Sequence, residues 1–98
     1  MADLLLSNLQ EGKPFAIRKN GQSICVARVG NEVFAVENNC THQDAELTDG
    51  DQEGYKLECF LHGAQFDLRT GEALTPPAIN PVKTFQVKIS NDEITVEA

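Results

Sequence analysis

Short runs of alternating apolar and polar positions cover most of this chain, and turn-forming pairs interrupt them at close intervals. A period of two puts successive side chains on opposite faces of a strand, so the pattern predicts an all-β fold. Phe15 to Lys19 and Ser23 to Val29 flank Asn20-Gly21, a pair that tolerates the positive φ a tight hairpin needs. Ala27 to Val29 and Val33 to Val36 flank Gly30-Asn31, a second tight turn. Phe85, Val87 and Ile89 alternate with polar residues, Ser90 to Glu93 turn the chain, and Ile94 and Val96 alternate again. This predicts a closing hairpin. Pro76-Pro77 and Pro81 exclude a central strand, because proline lacks the N–H a ladder requires, and mark a stiff loop. Ser7 to Gly12 alone hints at a helical turn.

The middle of the chain, Asn38 to Gln65, breaks this pattern. It holds both histidines and two of the three cysteines. It also holds an acidic stretch, Asp44, Glu46, Asp49, Asp51 and Glu53, against a single base at Lys56. Periodicity is poor from Asn38 to Gly54, which reads as irregular, and such segments on a β scaffold commonly carry function.

A length of 98 residues suits one domain spanning the whole chain, and 41% apolar with 23% charged residues suits a packed one. Fifteen acidic residues against eight basic ones leave a net charge of −7. That argues against nucleic acid as a partner and fits docking onto basic protein patches, although solubility alone would explain it too. No apolar run is long enough to span a bilayer, so no membrane association is expected. Leu4-Leu5-Leu6 follows Asp3 rather than a basic stretch, with no small-residue cleavage site after it, so a cytoplasmic protein is expected. An odd number of cysteines without an export signal speaks against a disulfide framework. Cys25, inside Ser23-Ile24-Cys25-Val26-Ala27, is expected to pack as a small buried apolar residue.

Two short motifs remain: Cys40-Thr41-His42 and, after sixteen intervening residues, Cys59-Phe60-Leu61-His62. Each pairs a soft thiolate with a borderline imidazole, and two such loops facing each other would make a four-ligand site. Unrelated buried cysteines and surface histidines are the plain alternative, but both histidines standing beside two cysteines argues against it. A structural zinc site is a second alternative. Zinc fingers, however, usually pair cysteine with cysteine and histidine with histidine, with a helix following. A [2Fe–2S] cluster whose one iron takes both thiolates and whose other takes both imidazoles draws one Cys and one His from each loop. That matches the spacing here and is the preferred reading.

These motifs resemble the Rieske proteins, and among them the small Rieske-type ferredoxins of bacterial ring-hydroxylating oxygenase systems. The likeness starts weakly at Leu9-Gln10-Glu11-Gly12 and sharpens at Asn39-Cys40-Thr41-His42. It continues through Leu47-Thr48-Asp49-Gly50 and Leu57-Glu58-Cys59, and is strongest from His62-Gly63-Ala64-Gln65 to Gly71-Glu72-Ala73, before the Pro76-Pro77 loop. It implies an antiparallel β-sandwich or barrel base with a small cluster-binding subdomain at about Asn38 to Ala73. Cys40 and Cys59 would bind an inner iron, and His42 and His62 an outer iron near the surface. Electrons would pass through a docking face of His42, Gln43, Leu61, His62 and the Pro76-Pro77 loop. Family members often have proline and an aromatic between the second Cys and His, whereas this chain has Phe60-Leu61. Gly63 would allow close backbone approach to the cluster or simply a turn. Asp67 and Arg69 are expected to stabilise the turn before Gly71.

The resemblance also bears on redox potential. High-potential Rieske proteins of cytochrome bc complexes carry a disulfide between the two cluster loops, and a serine and a tyrosine hydroxyl donate toward sulfur. The corresponding positions here are Ala45 and Leu61 for the disulfide, and Ala64 and Phe66 for the hydroxyls. Fewer hydrogen bonds to sulfur disfavour the reduced, more negative cluster, so the midpoint is expected on the order of −150 mV, the low end of the Rieske range.

The chain shows no nucleophile–base constellation, no phosphate loop, and too little length for a mononuclear iron domain. It is therefore read as an electron carrier rather than an enzyme. It would work as a monomer between an NAD(P)H-dependent flavoprotein ferredoxin reductase and a terminal oxygenase attacking an aromatic substrate. A Rieske-like small subunit of another redox complex, such as an assimilatory nitrite reductase, and a zinc-stabilised interaction module are the alternatives.

Overall fold

A computed structural model of the chain describes residues 3–38, 47–58, 65–74 and 81–97. Within them the strands are β1 (Leu4–Leu5), β2 (Phe15–Lys19), β3 (Gln22–Val29), β4 (Glu32–Glu37), β5 (Asp51–Glu53), β6 (Lys56–Glu58), β7 (Gln65–Asp67), β8 (Thr84–Ser90) and β9 (Glu93–Glu97). Short 3-10 turns lie at Leu6–Asn8 and Leu47–Asp49. The strands form two sheets, a six-stranded one in the order β1-β9-β8-β4-β3-β2 and a three-stranded one in the order β5-β6-β7. Every pairing is antiparallel, so the expected all-β architecture holds.

Each hairpin read from the pattern forms in the register its turn dictates. Asn20 and Gly21 take φ of 53° and 78° between the paired residues Lys19 and Gln22. Gly30 takes φ of 61° between Val29 and Glu32. Asn91 and Asp92 close the last hairpin at φ of 50° and 72°, between Ser90 and Glu93. A left-handed aspartate is unusual, and here its neighbours use it. The Asp92 carboxylate accepts from the Ser7 backbone N–H (3.0 Å) and hydroxyl (2.8 Å), while its carbonyl accepts from Leu6 N–H (2.8 Å). The helical hint near Ser7 is thus realised as three residues, Leu6–Asn8, tied to this turn.

The large sheet curls until its edges meet. Lys19, at the end of edge strand β2, donates to the Asp3 carboxylate (3.0 Å) beside the opposite edge strand β1, and to the Val96 carbonyl. Asp3 also accepts from Val96 N–H (2.7 Å), so one carboxylate joins both edges and β9.

Strand β3 explains its own unbroken apolar run. Ile24 and Val26 point into one core with Leu9, Val33, Ala35, Ile94 and Val96. Cys25 and Ala27 point into a second core with Val36, Leu47, Leu57, Phe66, Leu68 and Val82. Both faces of β3 are covered, so simple alternation with polar residues would leave one core unfilled. The second core is what fixes the small sheet on the base, because Leu57 of β6 and Phe66 of β7 both sink into it.

The stretch read as irregular from Asn38 to Gly54 contains more structure than its pattern shows. Leu47–Asp49 form a 3-10 turn and Asp51–Glu53 form β5. Asp-Gln-Glu carries no apolar alternation, so pairing with β6 rather than propensity makes it a strand.

Candidate metal centre

All four candidate ligands, Cys40, His42, Cys59 and His62, lie outside the described residues. So do Gln43, Ala45, Leu61, Gly63, Ala64 and Pro76-Pro77. The structure does show the frame from which their three segments leave and to which they return.

The first segment, 39–46, starts after Asn38 and ends before Leu47. The Asn38 side chain, 4% exposed, reaches across that gap: its Oδ1 accepts from Thr48 N–H at 3.0 Å and from the Thr48 hydroxyl at 3.3 Å. Its Nδ2 donates to Ser23 Oγ (3.0 Å), and its backbone N–H donates to the Ser23 carbonyl (3.1 Å), which anchors the closure on β3. The second segment, 59–64, leaves Glu58 and returns at Gln65, which are cross-strand partners on β6 and β7. Gln65 Nε2 donates to Glu58 Oε2 at 3.2 Å.

Gly50 joins these two closures. Its backbone lies so near Glu58 that a Cβ there would stand 1.8 Å from the Glu58 carbonyl oxygen, which only glycine accommodates. The turn that follows the Cys40/His42 segment is thus seated against the residue that precedes Cys59. The third segment, 75–80, is tied in the same way. Leu74 N–H donates to the Gln65 carbonyl (2.7 Å), and Val82 N–H to the Gly71 carbonyl (2.8 Å). Gly71 has φ of 79°, and a Cβ on it would come within 2.2 Å of the Val82 carbonyl.

At the other end of the small sheet a polar cluster sets its pitch against the base. Asp67 Oδ1 accepts from the Arg69 backbone N–H (2.8 Å), and Asp67 Oδ2 pairs with its guanidinium (3.1 Å). Gly71 N–H donates to the Asp67 carbonyl (2.7 Å), so these two residues do stabilise the turn expected of them. The Arg69 guanidinium holds the Asp67 carboxyl below its ordinary value. Arg69 also lies 4.4 Å from the Tyr55 ring centre, and Tyr55 packs edge-on against Phe34 of β4. The Tyr55 hydroxyl donates to Glu32 of β4 (2.8 Å), a bond that raises the phenol's pKa. The sequence pattern does not link Arg69, Tyr55, Phe34 and Glu32 across sheet and base, because their contacts span 14 to 23 positions.

The donor chemistry fits a two-thiolate, two-imidazole centre. Cys25 is fully buried in the core, and burial pushes its thiol up to about 12, so it stays a protonated hydrophobe. Among the described residues, no three His, Cys, Asp or Glu side chains come together as a metal site. The chain's other two cysteines and both its histidines fall in the two segments that flank the Gly50–Glu58 contact. Hard carboxylates on β5 and β6 would suit neither iron of such a cluster.

Comparison with known proteins adds the remaining observations. Residues 2–86 match the family model of the Rieske [2Fe-2S] domain. The ferredoxin component of the naphthalene 1,2-dioxygenase/salicylate 5-hydroxylase systems of Ralstonia sp. is 38% identical over 92 residues, 94% of this chain and 88% of that protein. The Sphingomonas yanoikuyae B1 ferredoxin superposes with a TM-score of 0.94 at 34% identity, covering 100% of this chain and 97% of its own. A chain from the complex of reduced oxygenase and oxidized ferredoxin in carbazole 1,9a-dioxygenase superposes at 0.93 and 31% identity, over 99% of this chain and 100% of that one. With a curled antiparallel base, a three-stranded sheet docked on it, and matches of this extent, the chain belongs to the Rieske [2Fe–2S] domain family.

Proposed function

We propose that this protein is the ferredoxin of a multicomponent aromatic-ring dioxygenase system. It takes one electron from an NAD(P)H-dependent flavoprotein reductase and delivers it to the terminal oxygenase. The observation that carries this reading is the near full-length likeness to ferredoxin components, one of them from a complex with its oxygenase. Those relatives are electron-transfer components and not catalytic oxygenases.

When bound, a Rieske [2Fe–2S] cluster supplies a one-electron couple at a potential above that of all-cysteine clusters, because neutral imidazoles replace two thiolates. We assign Cys40 and Cys59 to one iron and His42 and His62 to the other, within a cluster-binding part of about 38–73. The joined segment bases at Asn38–Thr48 and Gly50–Glu58 support this assignment. The chain's own task is to hold these side chains without rearrangement during electron transfer, and a hydrogen-bonded frame on a packed core suits that.

We further read it as a cytoplasmic monomer, and its net charge of −7 fits action without nucleic acid. Among the described residues, no helix is long and apolar enough to cross a membrane.

The test is an EPR spectrum of the dithionite-reduced protein with iron, sulfide and zinc analysis. Paired iron and sulfide with a rhombic signal, at an average g below that of an all-cysteine cluster, is expected. A colourless, EPR-silent protein holding one zinc would overturn the proposal.

A further inference from the structure

We propose that Asn38 is a positioning residue for the metal centre, holding the segment that carries Cys40 and His42 in its ligating geometry. This rests on the ligand assignment above and goes beyond it. Among the described residues, Asn38 is the one polar side chain buried from solvent. Burying an amide costs free energy unless its donors and acceptors are paired, so an aliphatic residue would serve a packing role better. Here each end of the amide is used, and for different elements. Oδ1 accepts both the backbone N–H and the hydroxyl of Thr48, while Nδ2 donates to Ser23 Oγ on β3.

The bond to Thr48 N–H has a further meaning. Thr48 is in the first turn of Leu47–Asp49, where an N–H lacks an intrahelical acceptor. Asn38 satisfies that donor from ten positions upstream. The residue before the segment therefore caps the turn after it, and both are fastened to the base through Ser23. A leucine at this position would fill similar volume and leave the segment without that latch. Partners one step removed from a metal's ligands orient those ligands, and losing one typically costs ten- to a hundredfold in metal affinity. Asn38 stands two residues before Cys40, so it would act on that ligand through the backbone between them.

The experiment compares the purified holoprotein with Asn38→Ala, Thr48→Val and a control, Asp3→Ala, which weakens the base at its far edge. Each is reduced for EPR, and in oxidised form is challenged with an iron chelator while the visible absorption is followed. Melting temperatures are taken in parallel. Asn38→Ala is expected to lose iron about tenfold faster and to show displaced g values. Thr48→Val, which removes one of the two bonds to Oδ1, is expected to show a smaller change in the same direction. Asp3→Ala is expected to melt lower yet keep the native spectrum and release rate. Should Asn38→Ala match Asp3→Ala in spectrum and in release rate at equal distance below melting, Asn38 is only a structural residue and the proposal falls. If Asn38→Ala does not fold, the comparison between Thr48→Val and Asp3→Ala decides in the same way. A native spectrum with unaltered variants overturns this proposal alone, whereas a native protein lacking the mixed-ligand signal overturns the ligand assignment and this proposal together.

Discussion

Gly50 and Glu58 approach so closely that a methyl group on Gly50 would stand 1.8 Å from the Glu58 carbonyl oxygen. The contact joins the turn after the Cys40/His42 segment to the strand end before Cys59. Two stretches eight residues apart in sequence thereby share one base.

Gly50→Ala is expected to destabilise the protein by about 2 kcal/mol, because backbone rather than a flexible side chain must move. For a domain of this size that lowers the melting temperature by about 10 °C. Gly54 provides the contrast, with a left-handed φ of 59° and nothing within 4 Å of an added Cβ. Gly54→Ala should cost only about 1 kcal/mol of backbone strain. Thermal unfolding of both variants, with iron content, checks the ranking. A Gly50→Ala protein as stable as the native one would refute the close approach.

Acid should unlatch the base at Asp3. Burial pushes this carboxyl up, but the Val96 N–H and Lys19 together hold it below its ordinary value of 3.8. With a lowered pKa in the folded state, the unfolded chain takes up the proton first as pH falls. The stabilisation is therefore complete well above pH 3.8 and is lost as pH drops through the lower folded value. Asp67, held down by Arg69, acts in the same direction. Melting temperatures measured from pH 7 to pH 3 should fall toward the acid end, and Asp3→Asn should melt lower at pH 7 with a shallower fall. An equally steep fall in Asp3→Asn would rule this carboxylate out as the cause.

Cys25 should be chemically silent. Its thiol is pushed up to about 12 and has no exposed surface, so little thiolate forms at pH 8. Mass spectrometry after iodoacetamide treatment should find Cys25 unmodified in the folded protein and alkylated after denaturation. Cys25→Ala should cost about 1 kcal/mol for the lost sulfur packing and leave iron content intact. Loss of the cluster from that variant would mean that Cys25 is needed at the centre.

The midpoint potential should fall on the order of −150 mV. Phe66, where a tyrosine hydroxyl would raise the potential, is buried in the core opposite Leu57 and carries no donor. A spectroelectrochemical titration settles the value, and a clearly positive midpoint would contradict the argument from missing hydrogen bonds.

The sequence by itself determined the hairpins of the base, since Asn20-Gly21, Gly30-Asn31 and Asn91-Asp92 each impose a tight turn between alternating runs. It also singled out the candidate donors, because both histidines sit beside two cysteines in paired short motifs, and the length of the match placed the chain in its family. It did not reveal β5, β6 and β7. Strands of three residues hold barely more than one period, and Asp-Gln-Glu has no apolar face to betray it. Only the tertiary structure decided that Cys25 and Leu57 share a core, that Lys19 and Asp3 close the curled sheet, and that Asn38 latches onto Thr48. Such contacts depend on which surfaces meet after the sheets pack. A local pattern can show that a residue is apolar or can donate a bond, but the partner is chosen by the three-dimensional arrangement that brings distant segments together.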